Sequence, residues 1–480
     1  MSQKLLAIII LMLFASCSQQ KHLSSADTQR LVIPGDFPDP SIIKVGNTYW
    51  ATCSSSEWGP VFWLAKSENL TDWKIEHYVF NERPDWSSSN YWAPELYHDG
   101  KKFFLYYTGR KKGGPLCISI ATADSIQGPW TDHGPVFCQD AGSIDASRID
   151  NYLIWKEDGN SVGKPTPIWA QELTEEGTAV KGEKFELFRN DAGWEKNLVE
   201  GPFITKHGEY FYCFYAAAGC CGVGCDYAVG VARAKSLKDK WEKYSANPVI
   251  QGNEVWKCPG HGTLVDDKYF MYHAYSTESS VYVGRQALVS EISWKKDGWP
   301  DIIRTALPAK APKLSFSDDF TDISNTWRWP VEFKPTCKTE NGFLLLNGIL
   351  AQAALSYNYE ATTSVLVKDS VSAGLSAFGD VNNAIGISAG KDSIRLWKIQ
   401  NGQYNVLAHQ ATPATTLQFK LVAKQGSQVA FFYSTDGKTW IGLGPAVDGT
   451  FLPPWDRSVR IALVAQGQGT AYFDWFRLNN

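Results

Sequence analysis

Three carboxylic acids stand out by type and setting: Asp39 in FPDPSI, Asp145 in SIDASR and Glu200 in VEGPFI. Each precedes a short apolar run, and Glu200 stands before a Gly-Pro turn that leads into the aromatic run YFYCFYAA. Two carboxyl groups facing one cavity can hydrolyse a glycosidic bond, one protonating the leaving oxygen while the other draws a proton from an attacking water. Separation decides the stereochemistry, because carboxyls roughly 6.5–9.5 Å apart leave room for that water and invert the anomeric centre. A third carboxylate nearby disfavours ionisation of the acid by like-charge repulsion.

Acids this far apart in the chain can act together only if the fold repeats. The segments around FPDPSIIKVGNTYW, WAPELYHDGKKFFLYY, SIDASRIDNYLIWK, VEGPFITKHGEYFYCFY and PGHGTLVDDKYFMYHAY share one plan. Each has a polar residue in front, a short strand, a turn built on Gly, Asp or Asn, and an aromatic strand. The front residues Asp39, Glu95, Asp145, Glu200 and His261 recur roughly every 50–60 residues, which fits one four-stranded propeller blade per unit. Five such units make an all-β, five-bladed β-propeller over residues 31–305, in which the leading end of every innermost strand faces one axial cavity. A β-sandwich with incidental turn acids is the bland alternative, yet turn acids have no reason to recur ahead of every hairpin.

Residues 306–313, rich in Pro, Ala and Lys, read as a linker. From 314 to 480 short strands continue without the blade motif, which predicts a β-sandwich. Lys plus Arg number 46 against 50 Asp plus Glu, and no basic run is interleaved with aromatics, so a nucleic-acid partner is excluded and a neutral one expected. The 20 Trp and 21 Tyr suit sugar stacking as well as β cores.

The start, MSQKLLAIIILMLFASCSQQ, has an apolar run too short to span a bilayer and reads as an export signal. It resembles a bacterial lipoprotein leader over residues 1–17, with FASC as lipobox and Cys17 as the lipidated residue, followed by a tether over 18–30. That implies an exported protein, periplasmic or outer-membrane, that meets membrane only through its anchor. Nine cysteines remain after Cys17, an odd number spread over a large chain and not a dense disulfide framework. Cys220, Cys221 and Cys225 share a Gly-rich loop, where a disulfide, including one between neighbours, is favoured over a zinc site.

FPDPSI, SIDAS and EGPFI, in that order on successive units, resemble the three carboxylate motifs of glycoside hydrolase family 43. The resemblance implies a five-bladed propeller that inverts, with Asp39 as general base, Asp145 as the residue that raises the acid's pKa and orients it, and Glu200 as general acid. It further implies Trp92 and Glu95 of WAPEL, Arg285 of VGRQA and Phe37 as substrate-binding residues. His261 of GHGT resembles the family's axial histidine, near which a calcium or other cation can sit; the chemistry itself needs no cofactor. FSDDF and YFDWFRL are similar to the concanavalin-like sandwich of family 43 xylosidases and arabinofuranosidases. The expected substrate is an oligosaccharide or polysaccharide carrying terminal pentose, α-L-arabinofuranosyl ahead of β-D-xylosyl, with a galactoside or a non-catalytic sugar-binding propeller as alternatives.

Overall fold

The structure is a computed structural model that describes residues 28–367, 370–412 and 414–480, so the leader, Cys17 and most of the tether lie outside the described residues. Residues 41–80, 87–138, 143–188 and 199–243 each form a four-stranded antiparallel sheet. The fifth sheet has five strands, taking Trp256–Val265, Tyr269–Ser276, Gln286–Trp294 and Pro300–Ile303 from the end of the domain and Arg30–Ile33 from its beginning. Arg30 pairs with Val289 and Leu31 with Leu288, so the first strand closes the last blade and leaves the wheel no open seam.

Neighbouring blades cover both faces of the inner strands, which explains why those strands are apolar in runs rather than alternating, while an outer strand such as Val180–Phe188 is largely exposed. In Tyr210–Ala217 every residue from Tyr212 to Ala217 is buried. A separate apolar core fills each gap between blades. Ile42 and Trp63 meet Val265 and Met271; Val61 and Leu64 meet Leu96 and Leu105; Tyr106 and Ile120 meet Leu153 and Trp155. Ile154 and Ile168 meet Val199 and Ile204, and Phe214 and Val231 meet Phe270 and Leu288. Each such side chain contributes about 1.5–3 kcal/mol by leaving water, so the wheel is held by five equivalent seams and not by one centre.

No strand occurs between Pro300–Ile303 and Phe316–Asp318. Beyond it two antiparallel sheets share the long strand Phe343–Ala353, whose Leu344–Leu346 pair with Ala471–Phe473 and whose Gly348–Ala353 pair with Arg460–Ala465. Here the strands do alternate: in Thr416–Lys424 residues Leu417, Phe419, Leu421 and Ala423 point inward and their neighbours outward. The sandwich is docked on the wheel. Trp329–Pro330 pairs with Trp58–Gly59, and the buried Arg328 donates to Ser55 Oγ (2.7 Å), Trp58 O (2.9 Å) and Pro60 O (2.8 Å). Trp58 is packed among Phe378, Trp397 and Ala462 of the sandwich.

Candidate active site

On or just before each innermost strand a residue adopts a left-handed backbone: Asp39 (φ 50°), Ala93 (44°), Asp145 (58°), Gly201 (57°) and His261 (45°), with Asn90 (58°) and Cys258 (55°) doing the same on two of these strands. The strand register slips at this point in four of the blades, as a bulge that turns the adjoining side chains toward the axis. Non-glycine residues in this region carry strain that concentrates at functional sites. The repeat therefore runs through Ala93 and Gly201, not Glu95 and Glu200. Glu200 stands one residue before the turn and Glu95 two after it, and this offset sends the two glutamates to different places.

Asp39, Asp145, Glu200, His261, Trp92 and Arg285 line one cavity of about 300 Å³ at the leading ends of the strands. Asp39 Oδ2 accepts from Ser54 Oγ (2.6 Å), and Oδ1 accepts from Arg285 Nη1 (2.8 Å). Burial alone would raise the Asp39 pKa, but the Arg285 guanidinium outweighs it and holds the carboxyl well below the usual range. His273 is fully buried, and burial lowers its pKa to about 4. It is therefore neutral near pH 7, and its Nδ1 accepts the Asp39 backbone N–H (2.9 Å), which fixes the left-handed turn.

Asp145 Oδ2 accepts the Gly201 N–H (2.9 Å) and lies 3.8 Å from His261 Nδ1, which is itself 4.0 Å from Asp39. Burial pushes the Asp145 carboxyl up to about 6; His261 opposes that rise, and the neighbouring Glu200 adds to it. Glycine at 201 is favoured because a Cβ there would come within 2.9 Å of His261 Nδ1. Glu200 accepts from Tyr227 Oη at Oε1 (2.8 Å) and from Lys156 Nζ at Oε2 (2.6 Å). Lys156 also donates to Asp158 (2.9 Å), and although burial works against its charge, Glu200 and Asp158 hold its pKa above the ordinary lysine value.

Two expected sugar contacts fall elsewhere. Glu95 lines a second cavity, of about 410 Å³, formed by the trailing ends of the same strands, including Lys44, His98 and Arg148. Its Oε2 accepts from Thr263 Oγ1 (3.2 Å), and burial pushes its carboxyl up to about 8. Phe37 is 1% exposed and does not line the pocket; its backbone N–H donates to Arg285 O (2.7 Å), so it holds a pocket residue from behind. Around His261 the two nearest carboxylates are already engaged, and among the described residues no group of three or more His, Cys, Asp or Glu is placed to hold a metal ion.

Several pocket residues were not singled out from the sequence. Lys156 follows the buried run Leu153–Trp155 and could have been noticed as a charge inside an apolar strand. Tyr227 follows the cysteine loop, and its ring packs where a side chain on Gly260 would stand. Trp455 and Asp456 come from the sandwich. The Asp456 carbonyl accepts from Arg285 Nη2 (2.9 Å), Ser458 N–H donates to Asp36 Oδ2 (3.2 Å), and Trp455 meets Trp92 edge to face with centroids 5.8 Å apart. The loop cysteines form Cys220–Cys221 and Cys225–Cys258, so none of these three thiols is free for zinc.

Residues 28–300 match the model for glycosyl hydrolases family 43, and residues 346–479 match the beta xylosidase C-terminal concanavalin A-like domain. The chain is 25% identical over 504 residues to a xylan 1,3-beta-xylosidase of Vibrio sp, covering 88% of this chain and 91% of that one. It is 26% identical to xylosidase/arabinosidase 43B of Humicola insolens over 63% of this chain, and spans 60% of the length of that relative. A non-reducing end alpha-L-arabinofuranosidase of Bacteroides ovatus is 27% identical over 63% of this chain and 57% of its own. Among solved structures, a family 43 protein of Bacillus licheniformis superposes with a TM-score of 0.81 at 22% identity, over 94% of this chain and 99% of that one, a likeness of fold.

Proposed function

The chain belongs to glycosyl hydrolase family 43, and from that premise we propose that it is an inverting exo-glycosidase that removes terminal pentosyl residues from plant cell-wall polysaccharides or their oligosaccharides. α-L-Arabinofuranosyl is the first expectation and β-D-xylosyl the second. The relatives named xylosidase and arabinofuranosidase support a pentose. The observation that carries the reading is the convergence of three buried carboxyls from three blades on one cavity rimmed by Trp92 and Trp455.

Asp39 acts as general base. Held ionised by Arg285 and Ser54, it takes a proton from water as that water attacks the anomeric carbon. Glu200 gives its proton to the glycosidic oxygen as the bond breaks, and Tyr227 and Lys156 fix the orientation of its carboxyl. Asp145, bonded to the backbone of the residue after Glu200, sets the position of that acid and adds negative charge beside it. Trp92 and Arg285 enclose the terminal sugar. The protein is exported and anchored by lipid at Cys17, a reading that rests on the FASC leader alone.

A panel of aryl α-L-arabinofuranoside, β-D-xyloside and β-D-galactoside, followed by proton NMR of the first sugar released, tests this directly. The expected outcome is pentose release with inverted configuration. Release with retention would overturn the mechanism, and exclusive action on galactoside would overturn the substrate.

A further inference from the structure

Cys220 and Cys221 are bonded to each other and line the same cavity as Glu200. A disulfide stabilises a fold chiefly by closing a loop in the unfolded chain, and one between adjacent residues closes almost none. The loop is already tied down by Cys225–Cys258, by the Gly219 N–H donating to Asp226 Oδ1 (2.7 Å) and by the Lys196–Asp226 ion pair. The neighbour-to-neighbour bond therefore adds little to folding. What it adds is a surface: a small closed ring that cannot change rotamer, apolar and polarisable, with no hydrogen-bond donor on its sulfurs.

The position of that surface identifies what it would touch. Tyr210–Ala217 pairs with the strand carrying Glu200, with Ala216 opposite Glu200, and the cysteine ring follows a few residues later. The acid contacts the leaving oxygen, so the departing sugar must lie on Glu200's side of the cavity. Across the rim stands Trp455, 61% exposed and braced by Trp92. A side chain on Gly222 would reach within 4.0 Å of the Trp455 carbonyl, so the cysteine loop and the tryptophan segment are neighbours. We infer that the Cys220–Cys221 ring and the Trp455 indole form the two walls of a subsite for the sugar residue on the leaving side of the scissile bond. The C–H faces of that sugar pack on them in a site shaped before binding. The inference rests on the glycosidase reading above and adds to it the group that determines which sugar is released from.

The test compares a pentosyl oligosaccharide with the corresponding pentosyl fluoride, whose leaving group is too small to reach the rim. Trp455→Ala and the double variant Cys220→Ser/Cys221→Ser are each expected to lower the ratio of kcat/KM for oligosaccharide over fluoride by about tenfold. A ratio that stays at the wild-type value in both overturns the subsite. A second measurement needs no change at the cysteines. In Glu200→Gln, bound trisaccharide should slow reduction of Cys220–Cys221 by a phosphine several-fold, read by mass spectrometry of the alkylated peptide, whereas free pentose should not. Equal reduction rates with trisaccharide and with pentose overturn it as well. If the wild-type chain hydrolyses neither substrate, the glycosidase reading fails and takes the subsite with it; an active enzyme with unmoved ratios removes the subsite alone.

Discussion

Glu200 and Glu95 both lie beside the left-handed turns that open the innermost strands, yet the two ends of the channel treat them differently. At the leading end, Glu200 has an ammonium and a phenol on its carboxyl, and Asp39 nearby has a guanidinium. At the trailing end, Glu95 is bonded to a threonine hydroxyl, and burial keeps it protonated to about pH 8. The contrast teaches that facing the axis is not enough to make a carboxyl reactive. The buried Arg285 guanidinium, brought from another blade, lets Asp39 hold the charge a base needs, whereas burial keeps Glu95 neutral.

The sharpest way to break this comparison is at the leading end. Glu200→Gln should slow hydrolysis of natural glycosides by about 10²- to 10⁴-fold while sparing pentosyl fluoride, and Asp39→Asn should slow both by a similar factor; equal losses on both substrates in Glu200→Gln would remove it as acid. Next is Asp145, whose carboxyl titrates near 6 and acts when ionised. The wild-type kcat/KM should therefore fall as pH drops through about 6, and a pH profile of Asp145→Asn should lack that limb at a much reduced rate. Tyr227→Phe removes one of the two bonds to Glu200, and steady-state kinetics should show a loss of up to about tenfold.

Glu95→Gln should have the smallest effect on rate, within about twofold, because Gln matches the protonated acid it replaces. Its signature is in stability. The folded pKa of Glu95 is raised, so its contribution is complete below the ordinary value of 4.5 and is lost as pH rises toward about 8. Denaturant unfolding of the wild type should weaken over that window by on the order of 5 kcal/mol, and the variant should show a flatter profile. A large loss of activity in Glu95→Gln would erase the distinction between the two ends.

Much of this was legible in the residues. Repeated hairpins with Asp39, Asp145 and Glu200 at their fronts announce a ring, because side chains so distant in sequence can share a cavity only around a common axis. The error at Glu95 has a definite cause. A repeat read by eye aligns polar residues with polar residues, whereas the backbone repeats at its left-handed turn, where Ala93 and Gly201 are the equivalents of Asp39 and Asp145. One bulged residue shifts which way the following side chains point. Phe37 failed for a related reason: the sequence gives its hydrophobicity but not whether it fills the wall or the space behind it.

The sequence alone determined what local chemistry can specify: the all-β pattern, the turn glycines, the order of the three acids and the pair of adjacent cysteines. Only the tertiary structure decided what surrounds them. Lys156 reaches Glu200 from one blade, Arg285 and His273 reach Asp39 from another, and Trp455 and Asp456 arrive from a separate domain. The reason is physical. Strand period and turn type are fixed by a residue and its near neighbours, but electrostatic partnership depends on distances of a few ångströms between groups hundreds of positions apart, and those are set by how the sheets pack.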